Sequence, residues 1–330
     1  MRALSAFADG GALAFQLSTM LKFIVRRVVW TVPVILLVIF MTFMMMRQIK
    51  GNPFQVTERA VPVSIQRNLD RKYHLDKPWY VQYAYYVKGV ATFDLGPSLV
   101  ERNQTVNDKI KEHFPISLKL GLFAMTWAIL IGIPLGIVAA LKQNSIFDYA
   151  TMAFVNAGYA VPNFLVATLL IYFFAVKWRD VTGFPTNGWG GWHSWILPAL
   201  ALGHAPMTLF ARIVRGSMLE TLQQDYIRTA KAKGLRWRRV VGVHVLRNSL
   251  IPAVTAAAPL LGYLIAGSFI VEFIFGIPGI GRYFVQSVNN RDYAVTMGIT
   301  VLLSVMIIVA NLVVDILYGY LDPRTRDART

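Results

Sequence analysis

The feature that most restricts this 330-residue chain is a series of apolar runs long enough to cross a bilayer. Val28 to Met46 has no charged residue and would measure about 28 Å as a helix, against a hydrocarbon core of about 30 Å. Ile116–Leu141 is interrupted only by Lys119 near one end, where the aliphatic stem lets the ammonium reach the interface. Tyr149–Val176, Ile251–Val271 and Ala294–Tyr318 repeat the pattern. Ile196–Ala211 would be only about 24 Å long, short for a crossing. Trp195 and Arg212 are therefore expected to anchor its ends, and Pro198, Gly203, His204 and Pro206 to make it irregular. Backbone polar groups in lipid must bond within their own segment. The six runs thus predict an all-α integral membrane protein with six transmembrane helices.

The formal charge of +16 would suit a nucleic-acid partner if it formed one basic face. It does not. Nine Lys or Arg fall between Ala211 and Asn248 against only Glu220 and Asp225, a concentration that follows the positive-inside rule. Lys22, Arg26 and Arg27 precede the first run and place the N-terminus on the same, cytoplasmic side. Residues 47–115 then form an outer-side domain between helices 1 and 2. Their eleven Lys or Arg do not oppose this, because loops longer than ~60 residues translocate largely regardless of charge. The expected organisation is a leader over 1–19, a cytoplasmic start and first helix over 20–46, and the outer region over 47–115. A core over 116–320 contains a loop at 212–250, and a cytoplasmic tail over 321–330 includes Asp322-Pro323-Arg324. Met20-Leu21-Lys22 resembles a natural start, and the leader lacks the layout of a signal peptide. Lipid is an expected partner and nucleic acid is not.

Catalytic signatures are missing. Without Cys there is no disulfide and no thiolate nucleophile or ligand. No Gly-Lys dipeptide occurs, so there is no phosphate-binding P-loop. The five histidines never pair at metal-ligand spacing, and neither a Gly-x-Ser-x-Gly elbow nor opposed intramembrane carboxylates occur. No catalytic residue, metal site or cofactor is expected in this chain.

Ser217–Pro252 reads SMLETLQQDYIRTAKAKGLRWRRVVGVHVLRNSLIP. Leu219, Leu222, Tyr226 and Ala230 recur at spacings of three, four and four, which predicts one helical face. Gly234 stops that helix as a left-handed glycine does. A second run places Trp237, Val240, Val241 and His244 on one side before Ser249 and Pro252 open the next apolar segment. Two short helices joined at a glycine on a membrane face suggest a docking element. The plain alternative is a basic helix on anionic lipid, each Lys or Arg contributing about 1 kcal/mol.

Thr229-Ala230, Ala232-Lys233-Gly234 and Leu250-Ile251-Pro252 resemble the EAA loop of ABC-importer permeases, with Arg228-Thr229-Ala230 where many members carry Glu-Ala-Ala. Phe275-Gly276-Ile277-Pro278-Gly279-Ile280-Gly281, after Val271-Glu272 and before Asn290-Arg291-Asp292-Tyr293, resembles the FGxPGIG segment of peptide permeases. Tyr73-His74-Leu75-Asp76-Lys77-Pro78, Gln82-Tyr83 and Phe93-Asp94-Leu95-Gly96-Pro97-Ser98 resemble the outer region of the B-type oligopeptide subunits. Ordinary aromatic packing accounts for Tyr80, Tyr83, Tyr85 and Tyr86 equally well.

From Met20 to about Arg324 the chain is thus similar to the OppB/DppB-like permease subunits. That resemblance implies the type I ABC importer permease fold and a non-catalytic role as half of a translocation pathway for oligopeptides. Implied partners are a homologous C-type permease, D- and F-type ATP-binding subunits that hold ATP and Mg, and an extracytoplasmic peptide-binding protein. The implied location is the bacterial inner (cytoplasmic) membrane, with both termini cytoplasmic. Glu220, Asp225, Arg228, Thr229, Ala230, Ala232, Lys233, Gly234 and Leu235 would couple to the ATPases. Glu272, Gly276, Pro278, Gly279 and Gly281 would form an outer loop or gate. Asn156, Asn163 and His204, polar residues at membrane depth, are candidates for the pathway or for bonds between helices. Related permeases for dipeptides, glutathione or nickel share these motifs. A stand-alone secondary transporter or a membrane scaffold remains a different class, discriminated by whether ATPase subunits co-purify.

Overall fold

The computed structural model describes residues 25–26, 29–48, 76–101, 103–266 and 268–321. The expectations for the 1–19 leader, the Met20 start, the Tyr73-His74-Leu75 words and the 322–330 tail lie outside these residues. Among the described residues the regular secondary structure is all helical apart from one isolated bridge between Pro97 and Thr105.

Helix α1 is Val29–Gln48. The short α2, Trp79–Ala91, lies along it. Tyr83 donates its hydroxyl to the Leu36 carbonyl at 3.1 Å, and the Phe40 ring meets Trp79 and Tyr83 edge-on. These contacts give the outer-region tyrosine a packing role.

Helix α3 runs Val106–Leu141, beginning ten residues before the expected start at Ile116. Pro115 does not end the preceding region. Thr105 and Asp108 form a reciprocal capping box that satisfies the first free backbone donors, so the helix starts there and carries Pro115 inside it.

Helix α4, Ile146–Ala160, and α5, Asn163–Leu170, form the expected third run, but they are bent by 105°. Pro162 offers no N–H and forces Val161 into an extended conformation, φ −84° and ψ 123°. The end of α5 widens into a π-helical stretch, Ile171–Lys177.

The expected short fourth crossing is instead α6, His193–Leu222, thirty continuous residues with Pro198 and Pro206 inside. Charges at Arg212 and Arg215 hid its length. Arg215 is paired to Asp148, Arg212 lies over the Tyr159 ring at 4.5 Å, and Val214 and Met218 continue the buried face.

Helix α7, Asp225–Ala232, is followed by a second loop helix made of Trp237–Arg239, π-helical Val240–Val245 and Leu246–Ser249. Then come α8, Ile251–Ala266, α9, Phe269–Ile274, α10, Ile280–Asn289, and α11, Tyr293–Leu321. Five stretches are long and apolar enough to cross a membrane, six if the bent α4–α5 pair counts as one crossing.

The core is the parallel pair α3 and α6. An added Cβ at Gly136 would lie 2.5 Å from the Ala211 carbonyl oxygen and 2.9 Å from the Val214 Cβ. One at Gly132 would strike the Met207 carbonyl, and one at Gly203 the Ala124 carbonyl. The Gly132-x-x-x-Gly136 spacing thus lets two backbones touch. Leu120, Ala124, Ala128, Leu202, Phe210 and Val214 fill the space around them.

Candidate functional site

The loop between α6 and α8 is built on a break. Leu219, Leu222, Tyr226 and Ala230 do not share one face, because the chain leaves α6 at Gln223 and Gln224 is extended, φ −69° and ψ 146°. In α7 the buried side chains are Ile227 and Ala230. Tyr226 is turned outward, where its hydroxyl accepts from Asn248 Nδ2 at 2.8 Å and ties the two loop helices together. Asp225, Arg228, Thr229, Ala232, Lys233 and Gly234 are exposed beyond that seam, as is Glu220 on the last turn of α6, while Leu235 is half-buried. The exposed Asp225–Arg228 pair, at 3.5 Å, contributes little in water.

The end of α7 follows from Gly234. At φ +74° its N–H donates to the Lys231 carbonyl at 2.9 Å, and the Leu235 N–H reaches back to Ala230 at 3.3 Å. This pair of bonds is a Schellman stop. Nothing lies within 4 Å of an added Cβ at Gly234, so the constraint there is the backbone angle and not space.

A bidentate ion pair braces the same end of the bundle. Arg215 Nε and Nη2 donate to the Asp148 carboxylate at 2.6 and 2.7 Å, and the Asn144 N–H adds a third bond at 3.0 Å. Asp148 is only 1% exposed. Ser145 caps α4 from one side only: the Asp148 N–H donates to Ser145 Oγ at 3.4 Å, while the Asp148 carboxylate is held by Arg215. Asp148→Ala is expected to lower stability by about 3 kcal/mol by stranding the guanidinium. Arg215→Ala should cost a similar amount, and the double variant clearly less than the sum in a thermal-unfolding cycle in detergent.

At the opposite end the FGIPGIG segment folds around Glu272, which is fully buried. Ser117 and Ser268 each donate a hydroxyl to its Oε1 at 2.5 Å, and the Arg282 N–H donates to Oε2 at 3.0 Å. Ser117 Oγ also accepts from the Ile280 N–H at 2.9 Å. Gly279 sits so close that an added Cβ would lie 2.5 Å from the carboxylate, and a Cβ at Gly281 would press on the Phe269 backbone at 2.6 Å. Gly276 turns at φ +62° toward Asn187, and the Gly188 N–H donates to the Phe275 carbonyl at 2.8 Å. The Pro278 carbonyl lies 3.0 Å from His113 Nδ1.

The His113 ring stacks on Tyr283 at 3.8 Å, and Lys109, paired with Glu101 at 2.8 Å, lies 4.9 Å from the centre of the same ring. Burial pushes the Tyr283 phenol above its ordinary range. Asp292 accepts from the Ser98 hydroxyl and from the Leu99 N–H. Glu272, near the end of the apolar stretch Ile251–Ile274, is therefore the hub of a polar lattice.

Asn156, Asn163 and His204 do not converge. Asn156 is exposed on α4 and Asn163 half-buried at the start of α5. His204 is buried, with Nδ1 2.8 Å from the Ala201 carbonyl and Nε2 3.0 Å from the Val161 carbonyl. It bridges α6 to the carbonyl at the bend, which favours the interhelical role over contact with a passing solute. Ser117, Ser268, Asp148, Arg215, Lys109 and His113 went unnoticed as site residues in the sequence. The partners of Ser117, His113 and the Asp148–Arg215 pair are remote along the chain and no local pattern marks them, whereas Ser268 lies one helical turn before Glu272 and Lys109 near Glu101, spacings the sequence does display.

The chain matches the family described as binding-protein-dependent transport system inner membrane component over residues 132–327, and that family's N-terminal component over 20–121. It is 44% identical over 307 residues to the dipeptide transport system permease protein DppB of Bacillus subtilis, covering 93% of this chain and 98% of that one. It is 41% identical over 309 residues to the oligopeptide transport system permease protein OppB of Haemophilus influenzae, covering 93% and 100%. Among solved structures, an inward-facing MetNI methionine ABC transporter chain aligns with a TM-score of 0.52 at 18% identity, covering 64% of this chain and 96% of that one. An amino acid ABC transporter chain aligns with a TM-score of 0.51 at 17% identity, covering 72% and 98%, so the shared feature is the fold. The chain belongs to the inner membrane components of binding-protein-dependent transport systems, and within them to the OppB/DppB-like permease subunits of ABC importers.

Proposed function

We propose that this chain forms half of the translocation pathway of an ATP-driven oligopeptide importer and that Asp225–Leu235 is the element through which ATPases drive it. The observation that supports this most directly is the two-sided character of α7. Ile227 and Ala230 fix it to the core, while Arg228, Thr229, Ala232 and Lys233 face outward and Gly234 ends it sharply. A short helix anchored on one face transmits a push to the bundle instead of absorbing it. In this reading the loop and both termini are cytoplasmic, and the FGIPGIG end faces outward. ATP and Mg are held by D- and F-type ATPases, a C-type permease completes the pathway, and an external binding protein delivers the peptide. The 44% identity to a dipeptide permease favours a second reading, dipeptide import, as much as the 41% matches favour the first.

Gly234→Val tests the coupling element. A side chain in a left-handed position costs about 1–2 kcal/mol locally, small against insertion and folding of the whole chain. Peptide uptake by the reconstituted complex is expected to fall about tenfold or more at unchanged chain level, the equivalent of about 1.4 kcal/mol of lost coupling. Full uptake by the variant would remove α7 from the coupling role. Competition of uptake by di-, tri- and pentapeptides separates the two substrate readings.

A further inference from the structure

The second loop helix has a face that the coupling role does not use. Val240, Val241 and Val245 are buried in the core and Ser249 is fully covered. On the other side Arg236, Arg239 and Arg247 are exposed, Val243 is 51% exposed, and Trp237 beside them is 47% exposed. The spacing 239, 243, 247 keeps these residues aligned through the π-helical stretch, whose turn is wider than that of an α-helix. No ion pair reaches Arg236, Arg239 or Arg247 among the described residues. From Tyr226 to Val271 the chain has no Asp or Glu at all. The helix ends at Ser249, and the apolar α8 starts at Ile251, so this face lies where a crossing meets the membrane surface.

We propose that this face binds anionic phospholipid headgroups of the leaflet into which α8 inserts. Unpaired guanidinium groups form bidentate bonds to phosphate, and an amphipathic tryptophan favours the interfacial depth. A run of cations beside a crossing, with no acid to neutralise it, is the electrostatic pattern that anionic lipid selects. The loop then divides its work: α7 meets the ATPase, and the second helix holds the membrane, giving the push of α7 a fixed point. The inference rests on the coupling reading for its consequence, but not for the lipid contact itself.

The test uses the full transporter complex in nanodiscs of phosphatidylcholine with graded phosphatidylglycerol. Native mass spectrometry counts bound phosphatidylglycerol, and retention of the ATPase subunits is scored in the same samples. Arg239→Gln/Arg247→Gln is expected to weaken phosphatidylglycerol binding about fivefold for each cation removed while the ATPases stay bound. Arg239→Lys/Arg247→Lys keeps the charge but not the bidentate bonds, so its binding should fall between native and the Gln variant. Unchanged lipid binding in the Gln variant would overturn the proposal. So would release of the ATPases in every lipid, which would assign the face to the ATPase, or a Lys variant as impaired as the Gln one. Intact ATPase coupling through α7 with no lipid effect would leave the coupling reading standing and remove only this one.

Discussion

Glu272→Ala is expected to destabilise the chain by about 3–5 kcal/mol, since it strands donors that each cost about 1–3 kcal/mol when buried without a partner. The donors are the Ser117 and Ser268 hydroxyls and the Arg282 N–H, all directed at one fully buried carboxylate. Ser117 can turn elsewhere, but the Arg282 N–H is fixed by its helix. Glu272→Gln separates charge from shape. It preserves an oxygen for the serines but sets an amide NH2 against the Arg282 N–H unless it flips, in which case the serines lose their acceptor. Its expected cost is about 1–3 kcal/mol, between native and alanine. Gly279→Ala attacks the same hub sterically, because its Cβ would lie 2.5 Å from the carboxylate. Thermal unfolding in detergent checks all three. Stability of Glu272→Ala within 1 kcal/mol of native, on the scale of a surface substitution, would mean the lattice does not hold the FGIPGIG segment.

Gly136→Leu should have an effect of similar size at the centre of the bundle. Its Cβ would meet the Ala211 carbonyl oxygen at 2.5 Å and the Val214 Cβ at 2.9 Å, so α3 and α6 must separate. Overpacking costs about 1–3 kcal/mol where side chains can yield, and more where the obstacle is backbone, as it is here. The expected result is a loss of about 3 kcal/mol or more, seen as poor recovery of folded protein after extraction and a lowered unfolding midpoint. Gly216→Ala is the matched control on α6. Nothing lies within 4 Å of its added Cβ, and the better helix propensity should stabilise by about 0.5–1 kcal/mol. If both variants behave alike, close backbone contact is not what holds α3 to α6.

The EAA-like residues, the glycine stop and the FGIPGIG word were legible in the sequence because each lies within a few consecutive residues. The Gly234 turn is a local backbone requirement, and a local requirement leaves a local mark. The phase of the loop helices was not legible: a 3-4-4 spacing ran straight through Gln223 and Gln224, where the chain breaks. The length of α6 was hidden because Arg212 and Arg215 look like an end until Asp148 and Tyr159 are seen opposite them. Composition favours a bonded histidine at His204 over one that meets a solute, but only the fold names the partner, the Val161 carbonyl 3.0 Å away.

Hydropathy and charge are sums over neighbouring residues, so the sequence by itself determined the all-helical membrane fold and the family to which its short motifs belong. Pairings such as Ser117 with Glu272, 155 positions apart, depend on how α3 and α9 are brought together. A serine at the head of an apolar run has the same composition whether it faces lipid, water or a buried carboxylate. Only the tertiary structure decided that Glu272 is a hub and that Asp148 belongs to Arg215. Those outcomes are set by the desolvation of groups that must find partners across space.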